Sequence, residues 1–149
     1  MTNDTQRQVD ELVEAFFAFA AIHLGEDVRT VLAMGYPERA ISAIASAFAS
    51  YGGKDVYPDE VSKAAAILVH LNRNHPLHNG VKRSAFSVTD YYLSHNGYEL
   101  EVDAGRALEF LIRVAEGSVE VDEARRWILT NSRGRFLRRN LLRLVAAVR

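Results

Sequence analysis

The segment LNRNHPLHNGVKRSAF, residues 71–86, joins the two clearest helical patterns of the sequence. Before it, apolar residues recur every three or four positions from Val61 to Leu71. This spacing predicts a helix that starts around residues 57–60, with Pro58 in its first turn, and ends near Asn74. After the segment, apolar residues at 81, 85, 88 and 92 predict a second helix, closed by Asn96-Gly97. Because His75 precedes a proline, helical geometry is disfavoured there, and residues 76–80 are expected to form a loop.

Helical spacing continues through most of the remaining chain. We expect a first helix over about residues 5–24, started by a capping box of Thr5 and Gln8, and an Ala/Ser-rich helix that ends at Gly52-Gly53. Further helices are expected up to Gly117, around residues 121–128, and at the chain end, with one short extended piece over 98–102. The prediction is an all-α fold: a single domain over residues 1–149 with six or seven helices.

Composition excludes several classes of protein. A chain of 149 residues with 48% hydrophobic and 25% charged residues fits one ordinary globular domain. The sequence has no cysteine, which excludes disulfides, thiol nucleophiles and thiolate metal sites. The polar start and the short apolar runs favour neither a secretory signal nor a membrane span. We therefore expect a cytoplasmic protein with no membrane association.

Charge is divided unevenly along the chain. Residues 124–149 hold eight arginines and no acidic residue, whereas residues 1–123 carry a net charge of −9. Within residues 134–149 the pattern predicts an amphipathic, Arg-rich C-terminal helix. Three interpretations remain open: pairing with the acidic body, contact with a partner such as an antitoxin or another subunit, and nucleic-acid binding. The acidic remainder makes nucleic acid the weakest of the three, since it would repel a phosphate backbone.

The loop also carries the residues that point to chemistry. Gly80 lets a backbone approach closely, and Lys82 with Arg83 places two cations in the first turn of the following helix, where free N–H groups attract anions. His75 then has a suitable position for a general base toward a hydroxyl. The plainer alternative is that Asn79-Gly80 is an ordinary turn and the cations are solvated. His78 is either an accessory site residue or a solvent-facing one.

The segment His75 to Arg83 resembles the signature of the Fic/Doc family, which runs His, any residue, Phe, any residue, Asp or Glu, Gly, Asn, Gly or Lys, Arg. The likeness covers about residues 35–130 and is strongest from 57 to 102, where it favours the Doc branch. Phe86, in place of the second arginine of longer Fic motifs, points the same way. The resemblance implies an all-α Fic/Doc fold, with His75 as base, Gly80 in the phosphate loop and Arg83 as phosphate clamp. Lys82 stands where Doc toxins have lysine and adenylyl-transferring Fic proteins have glycine.

Three positions depart from the signature. Asn79 replaces the acid that holds Mg²⁺ in the family, and a neutral amide oxygen is a poorer ligand for this cation than a carboxylate. Val81 replaces the asparagine that contacts phosphate, and Leu77 replaces the phenylalanine. A phosphate or anion site formed by Asn79, Gly80, Lys82 and Arg83 remains, with ATP or another nucleotide as the implied cofactor and Mg²⁺ in doubt.

The resemblance implies a Fic/Doc-like transferase that moves a phosphoryl or nucleotidyl group to a hydroxyl acceptor on a protein, as in toxin–antitoxin systems. Two alternatives stay open. One is a repurposed scaffold that acts on a small phosphorylated or anionic metabolite, and the other is a catalytically inactive interaction protein. An antitoxin or a second copy of the chain is the expected partner.

Overall fold

The computed structural model describes residues 1–134 and residue 147, and within them the chain forms seven helices and four short strands. In chain order these are α1 (Asn3–Leu24), α2 (Val28–Met34), α3 (Pro37–Ser46), β1 (Ser50–Tyr51), β2 (Lys54–Asp55), α4 (Glu60–Asn74), α5 (Val81–His95), β3 (Tyr98–Leu100), α6 (Ala104–Ala115), α7 (Val121–Thr130) and β4 (Ser132–Gly134). The predicted all-α fold class is confirmed.

Helix α4 is the centre of the fold. Every side chain from 61 to 69 is buried, because α3, α5, α6 and α7 pack around the helix. Three consecutive alanines, 64–66, allow these neighbours to approach closely, and all three are fully buried. Helix α1 covers α5 and α3 with a stripe that includes Phe16 and Phe17. A helix surrounded in this way is fixed in position, and so is the loop that follows it.

The two helices around the quoted segment are found where the sequence predicted them. Helix α4 ends at Asn74 and α5 runs from Val81 to His95, followed by Asn96-Gly97. The expected position of Pro58 was wrong, since the proline precedes the N-cap residue Asp59. The Asp59 carboxylate accepts from the backbone N–H of Ser62 at 2.8 Å, and this cap sets the start of α4.

Two other helix ends were also predicted wrongly. The Ala/Ser-rich helix stops at Ser46, and Gly52-Gly53 instead forms the two-residue turn between β1 and β2, with φ values of 58° and 78°. Two successive positive φ values suit a tight hairpin, and glycine adopts them without a steric cost. At the N-terminus, the capping box of Thr5 and Gln8 is absent. Helix α1 begins at Asn3, capped by Thr2, whose side chain accepts from the Thr5 N–H at 3.1 Å.

The short extended piece over 98–102 is present as β3, which pairs antiparallel with β4. All three residues of β3 are half-buried. The Arg-rich C-terminal helix, predicted over 134–149, lies outside the described residues except for Gly134, which ends β4, and for Ala147. No helix in the described part of the chain combines the length and the apolar character that a bilayer crossing requires.

Candidate active site

The loop between α4 and α5 has an unusual backbone at both ends. His75, the C-cap of α4, has φ 48° and ψ 62°. Among the described residues, it is the one residue other than glycine that has a positive φ. Gly80, the N-cap of α5, has φ 84°. Pro76 excludes right-handed helical geometry at His75, and the left-handed turn directs the chain away from the α4 axis. Outliers of this kind persist only where the surrounding structure holds them.

The segment before α3 holds this loop in place. The Tyr36 N–H donates to the Pro76 carbonyl at 2.8 Å, and Leu77 is buried with 6% of its surface exposed. Gly35 leaves no space for a side chain, because a Cβ there would lie 2.9 Å from both Leu77 Cδ2 and the Pro76 oxygen. Leu77 therefore holds the loop against the core at the position where the family signature has phenylalanine.

Arg39 on α3 supports the same loop where it leaves α4. Its Nη1 donates to the His75 carbonyl at 3.3 Å, and its own carbonyl accepts from Asn74 Nδ2 at 3.1 Å. The guanidinium lies 3.9 Å from the ring centroid of Tyr36. Loop, α3 and the end of α4 are thus fastened together, which fixes the backbone that carries His75.

A cavity of about 400 Å³ opens above this loop. All six candidate residues named from the sequence line it: His75, His78, Asn79, Gly80, Lys82 and Arg83. The sequence analysis missed the remaining lining residues, which are His23 and Leu24 from α1, Asn72 from α4, Leu77 and Val81 beside the loop, and Ala115 from α6. The structure therefore brings the candidate residues together and adds walls from three helices.

The end of α1 forms the wall opposite α5. His23 Nε2 lies 3.0 Å from Ser87 Oγ, one helical turn beyond Arg83. Leu24 packs over Gly80, since its Cδ2 lies 3.4 Å from the position of a Cβ there. Only tertiary packing brings these residues to the loop. A histidine near a helix end does not indicate from the sequence that it will line a cavity.

The electrostatics of the cavity favour an anion. Lys82 and Arg83 are exposed, and neither forms an ion pair with any residue in the described part of the chain. Helix α5 starts without a side-chain cap, and its first internal hydrogen bond runs from the Ser84 N–H to the Gly80 carbonyl. The preceding N–H groups at the helix start therefore remain available, and the helix dipole adds to the positive potential.

The two loop histidines have different surroundings. His75 is exposed, and within residues 1–134 its ring makes no hydrogen bond. His78 is also exposed, but its ring packs edge-on against Tyr36, with 5.4 Å between centroids and Nε2 3.4 Å from the Tyr36 hydroxyl. The free imidazole of His75 is the better placed of the two for proton transfer.

The lining residues do not fit the magnesium site that the signature implies. None of the described residues that line the cavity carries a carboxylate, and the loop offers only the amide of Asn79 at the position of the family acid. Within the described part of the chain, no group of three or more His, Asp or Glu side chains is placed to hold a metal. Mg²⁺ binds through carboxylate or phosphate oxygens, and no protein carboxylate is provided here.

His70 belongs to a separate contact between α3 and α4. Its Nδ1 contacts the Ser46 hydroxyl, which donates to the Ala43 carbonyl at 2.7 Å, and its ring lies edge-on to Tyr57. Burial, and next the positive charge of Arg73, lowers the pKa of His70 below its usual value. The histidine does not line the cavity.

The aromatic residues Tyr91, Tyr92 and Trp127 pack in the core of the protein or against it. Tyr92 is 5% exposed and its hydroxyl donates to Glu60, while Tyr91 and Trp127 are partly buried, Trp127 stacking on Phe110 at 4.1 Å. Burial, and next the bond to Glu60, raises the pKa of Tyr92.

Much of the chain is similar to known proteins. The model of the Fic/DOC family matches residues 2–93, more than half of the chain, beginning and ending earlier than the span of 35–130 expected from the sequence. A protein named Toxin Doc, from Mycolicibacterium smegmatis (strain ATCC 700084 / mc(2)155), is 37% identical over 83 residues. That alignment spans 54% of this chain and 64% of the relative. With the helical fold and the loop geometry described above, the family match establishes that the chain belongs to the Fic/DOC family.

Proposed function

We propose that this protein transfers a phosphoryl or nucleotidyl group from a nucleotide to a hydroxyl acceptor. The observation that carries the proposal is the convergence of three groups on one cavity: the imidazole of His75 and the cations Lys82 and Arg83, which have no side-chain partner within residues 1–134, and the start of α5, which has no side-chain cap there. Membership of the Fic/DOC family supports a transferase of this type.

The proposed reaction is a single displacement at phosphorus. His75 removes the proton from the acceptor hydroxyl, the hydroxyl oxygen forms a bond to phosphorus, and the bond from phosphorus to the leaving phosphate oxygen breaks. Lys82 and Arg83 stabilise the negative charge that the leaving group gains. The backbone at Gly80 and the N–H groups of α5 hold the phosphate oxygens during this step.

A protein hydroxyl is the favoured acceptor. His75 is exposed and lines the cavity, so a side chain of another protein can reach its imidazole from solvent. The relative that carries the name Toxin Doc supports a toxin-type protein modifier, whose partner is an antitoxin or a second copy of the chain. Such a protein would act in the cytoplasm.

A second candidate function is action on a small phosphorylated or anionic metabolite. The described residues that line the cavity include no carboxylate, which favours a substrate that needs no metal. The two candidates differ in the acceptor, so the same purified protein distinguishes them when it is supplied with protein acceptors or with small hydroxyl compounds.

The test is transfer from ATP radiolabelled at either the α- or the γ-phosphate, with bacterial proteins as acceptors. An acceptor protein that becomes labelled from the γ-phosphate identifies phosphoryl transfer. An acceptor protein that becomes labelled from the α-phosphate identifies nucleotidyl transfer. His75→Ala should lower the rate by ~10²–10⁴-fold, the usual contribution of a general base. His95→Asn is the matched control, because His95 packs on Tyr91 away from the cavity. Transfer that survives His75→Ala unchanged would refute the proposed role of His75.

A further inference from the structure

We propose that the cavity binds the phosphate part of its ligand as a free anion, without a bridging divalent cation. The inference rests on the proposed function, since it specifies the form in which a nucleotide or another phosphate ester enters the same cavity. It separates this chain from the metal-dependent site that the family signature implies.

The side chains that line the cavity suit a phosphate better than a magnesium ion. Among the described residues, the polar side chains that line the cavity are three imidazoles, two amides, one ammonium and one guanidinium. One of the amides, Asn72, is 3% exposed and its Nδ2 already donates to the Leu68 carbonyl at 2.8 Å. Imidazoles and cations do not replace the anionic oxygens that Mg²⁺ prefers. The same groups are well suited to donate hydrogen bonds to phosphate oxygens.

The positive charge of the cavity also favours a metal-free phosphate. Within residues 1–134 no carboxylate pairs with Lys82 or Arg83, so both cations face the cavity without compensation. These two charges repel a divalent cation and attract a phosphate dianion. A magnesium ion on the nucleotide would cancel two of its negative charges and weaken that attraction. Free ATP therefore matches the cavity better than its magnesium complex.

One nearby carboxylate requires a direct test. Glu26 lines an adjoining cavity of about 140 Å³, which shares Leu24, Leu77, His78 and Asn79 with the larger cavity. If Glu26 supplied the missing metal ligand, Mg²⁺ would strengthen the binding of the nucleotide. Removal of the Glu26 charge would then abolish that effect.

The experiment is calorimetric titration of the full chain with ATP, AMP and inorganic phosphate, each in EDTA and in excess Mg²⁺. The wild-type protein should bind at least one of the three in EDTA, and excess Mg²⁺ should leave the affinity for ATP unchanged or lower it. Lys82→Met and Arg83→Met should each weaken binding in EDTA by about tenfold or more, because each removes a charge-assisted contact.

Two substitutions of Asn79 give the sharpest comparison. Asn79→Asp restores the acid of the signature, so it should weaken the binding of free ATP and make Mg²⁺ strengthen the binding. Asn79→Ala removes the amide without adding a charge, and it should keep the wild-type preference for metal-free nucleotide. The reversal of the magnesium effect in the Asp variant alone would identify charge at position 79 as its cause.

Three outcomes would overturn the inference. The first is an affinity of the wild type for ATP that Mg²⁺ strengthens by more than about twofold. Loss of that magnesium effect in Glu26→Gln would identify Glu26 as the metal ligand. The second is the absence of binding to all three probes in EDTA. The third is an Asn79→Asp variant that responds to Mg²⁺ as the wild type does. Metal-free binding without any transfer would contradict only the proposed function, whereas transfer that requires Mg²⁺ would contradict only this inference.

Discussion

Replacing Gly35 by alanine should disturb the candidate site from outside the cavity. A Cβ at this position would lie 2.9 Å from Leu77 Cδ2 and from the Pro76 oxygen, and 3.1 Å from the Val31 oxygen. Two of these three atoms belong to the backbone, so rotation of a side chain does not relieve the contact. The added methyl should therefore push Pro76 and Leu77 away from α3 and lengthen the 2.8 Å hydrogen bond from the Tyr36 N–H.

The expected cost of this overpacking is about 1–3 kcal/mol in the free energy of unfolding. Urea denaturation measures this loss, and titration with ATP in EDTA measures the consequence for the cavity. Because Pro76 and Leu77 lie between His75 and Asn79, their displacement should weaken ATP binding by about tenfold, a free-energy change of about 1.4 kcal/mol.

Gly117→Ala is a control matched in stability. Gly117 has φ 80°, so an alanine there is strained by roughly 1–2 kcal/mol, but a Cβ meets no atom within 4 Å and the residue lies outside the cavity. The control should lose stability and keep the affinity for ATP. Equal loss of affinity in both variants, or full affinity in Gly35→Ala, would refute the claim that Gly35 positions the loop.

Three further predictions concern single residues. Gly80→Ala should weaken ATP binding and destabilise the fold by roughly 1–2 kcal/mol, because φ 84° strains an alanine; binding unchanged in a titration would contradict this. Asp59→Ala removes the cap of α4 and the partner of Arg125, so urea unfolding should give a loss of about 1–2 kcal/mol, and no measurable loss would exclude the capping role. The lowered pKa of His70 makes the unfolded chain bind a proton at a higher pH than the native protein, so stability is fully present above the usual imidazole pKa and falls as the pH drops through it. Urea denaturation between pH 7.5 and 5.5 should therefore give a smaller pH dependence for His70→Gln than for the wild type, and an identical dependence in the two proteins would contradict this assignment.

The sequence predicted the part of the fold that has strong local signals. Periodic apolar residues identify α4 and α5, and Pro76 with Gly80 identifies the loop between them. The strands β1 and β2 were missed because two residues are too few for an alternating pattern. Helix α2 was missed for a similar reason: it has seven residues, of which only Val31 is buried.

The site was predictable only where it is continuous in sequence. His75 to Arg83 occupy nine consecutive positions, so their common location follows from one loop. His23, Leu24 and Ala115 reach the cavity through the packing of α1 and α6, and neither their spacing nor their residue type indicates it. Thr2 illustrates a different difficulty, because two threonines three residues apart offer the same cap and only the packed helix selects between them.

The central claim is that His75 acts with the cations of α5 in transfer to a hydroxyl. The most direct measurement is the rate of label transfer from radiolabelled ATP to protein acceptors for the wild type, His75→Ala and His95→Asn under identical conditions. The account predicts transfer by the wild type and His95→Asn and a loss of ~10²–10⁴-fold in His75→Ala. Equal rates in all three proteins, or no transfer by the wild type, would contradict it.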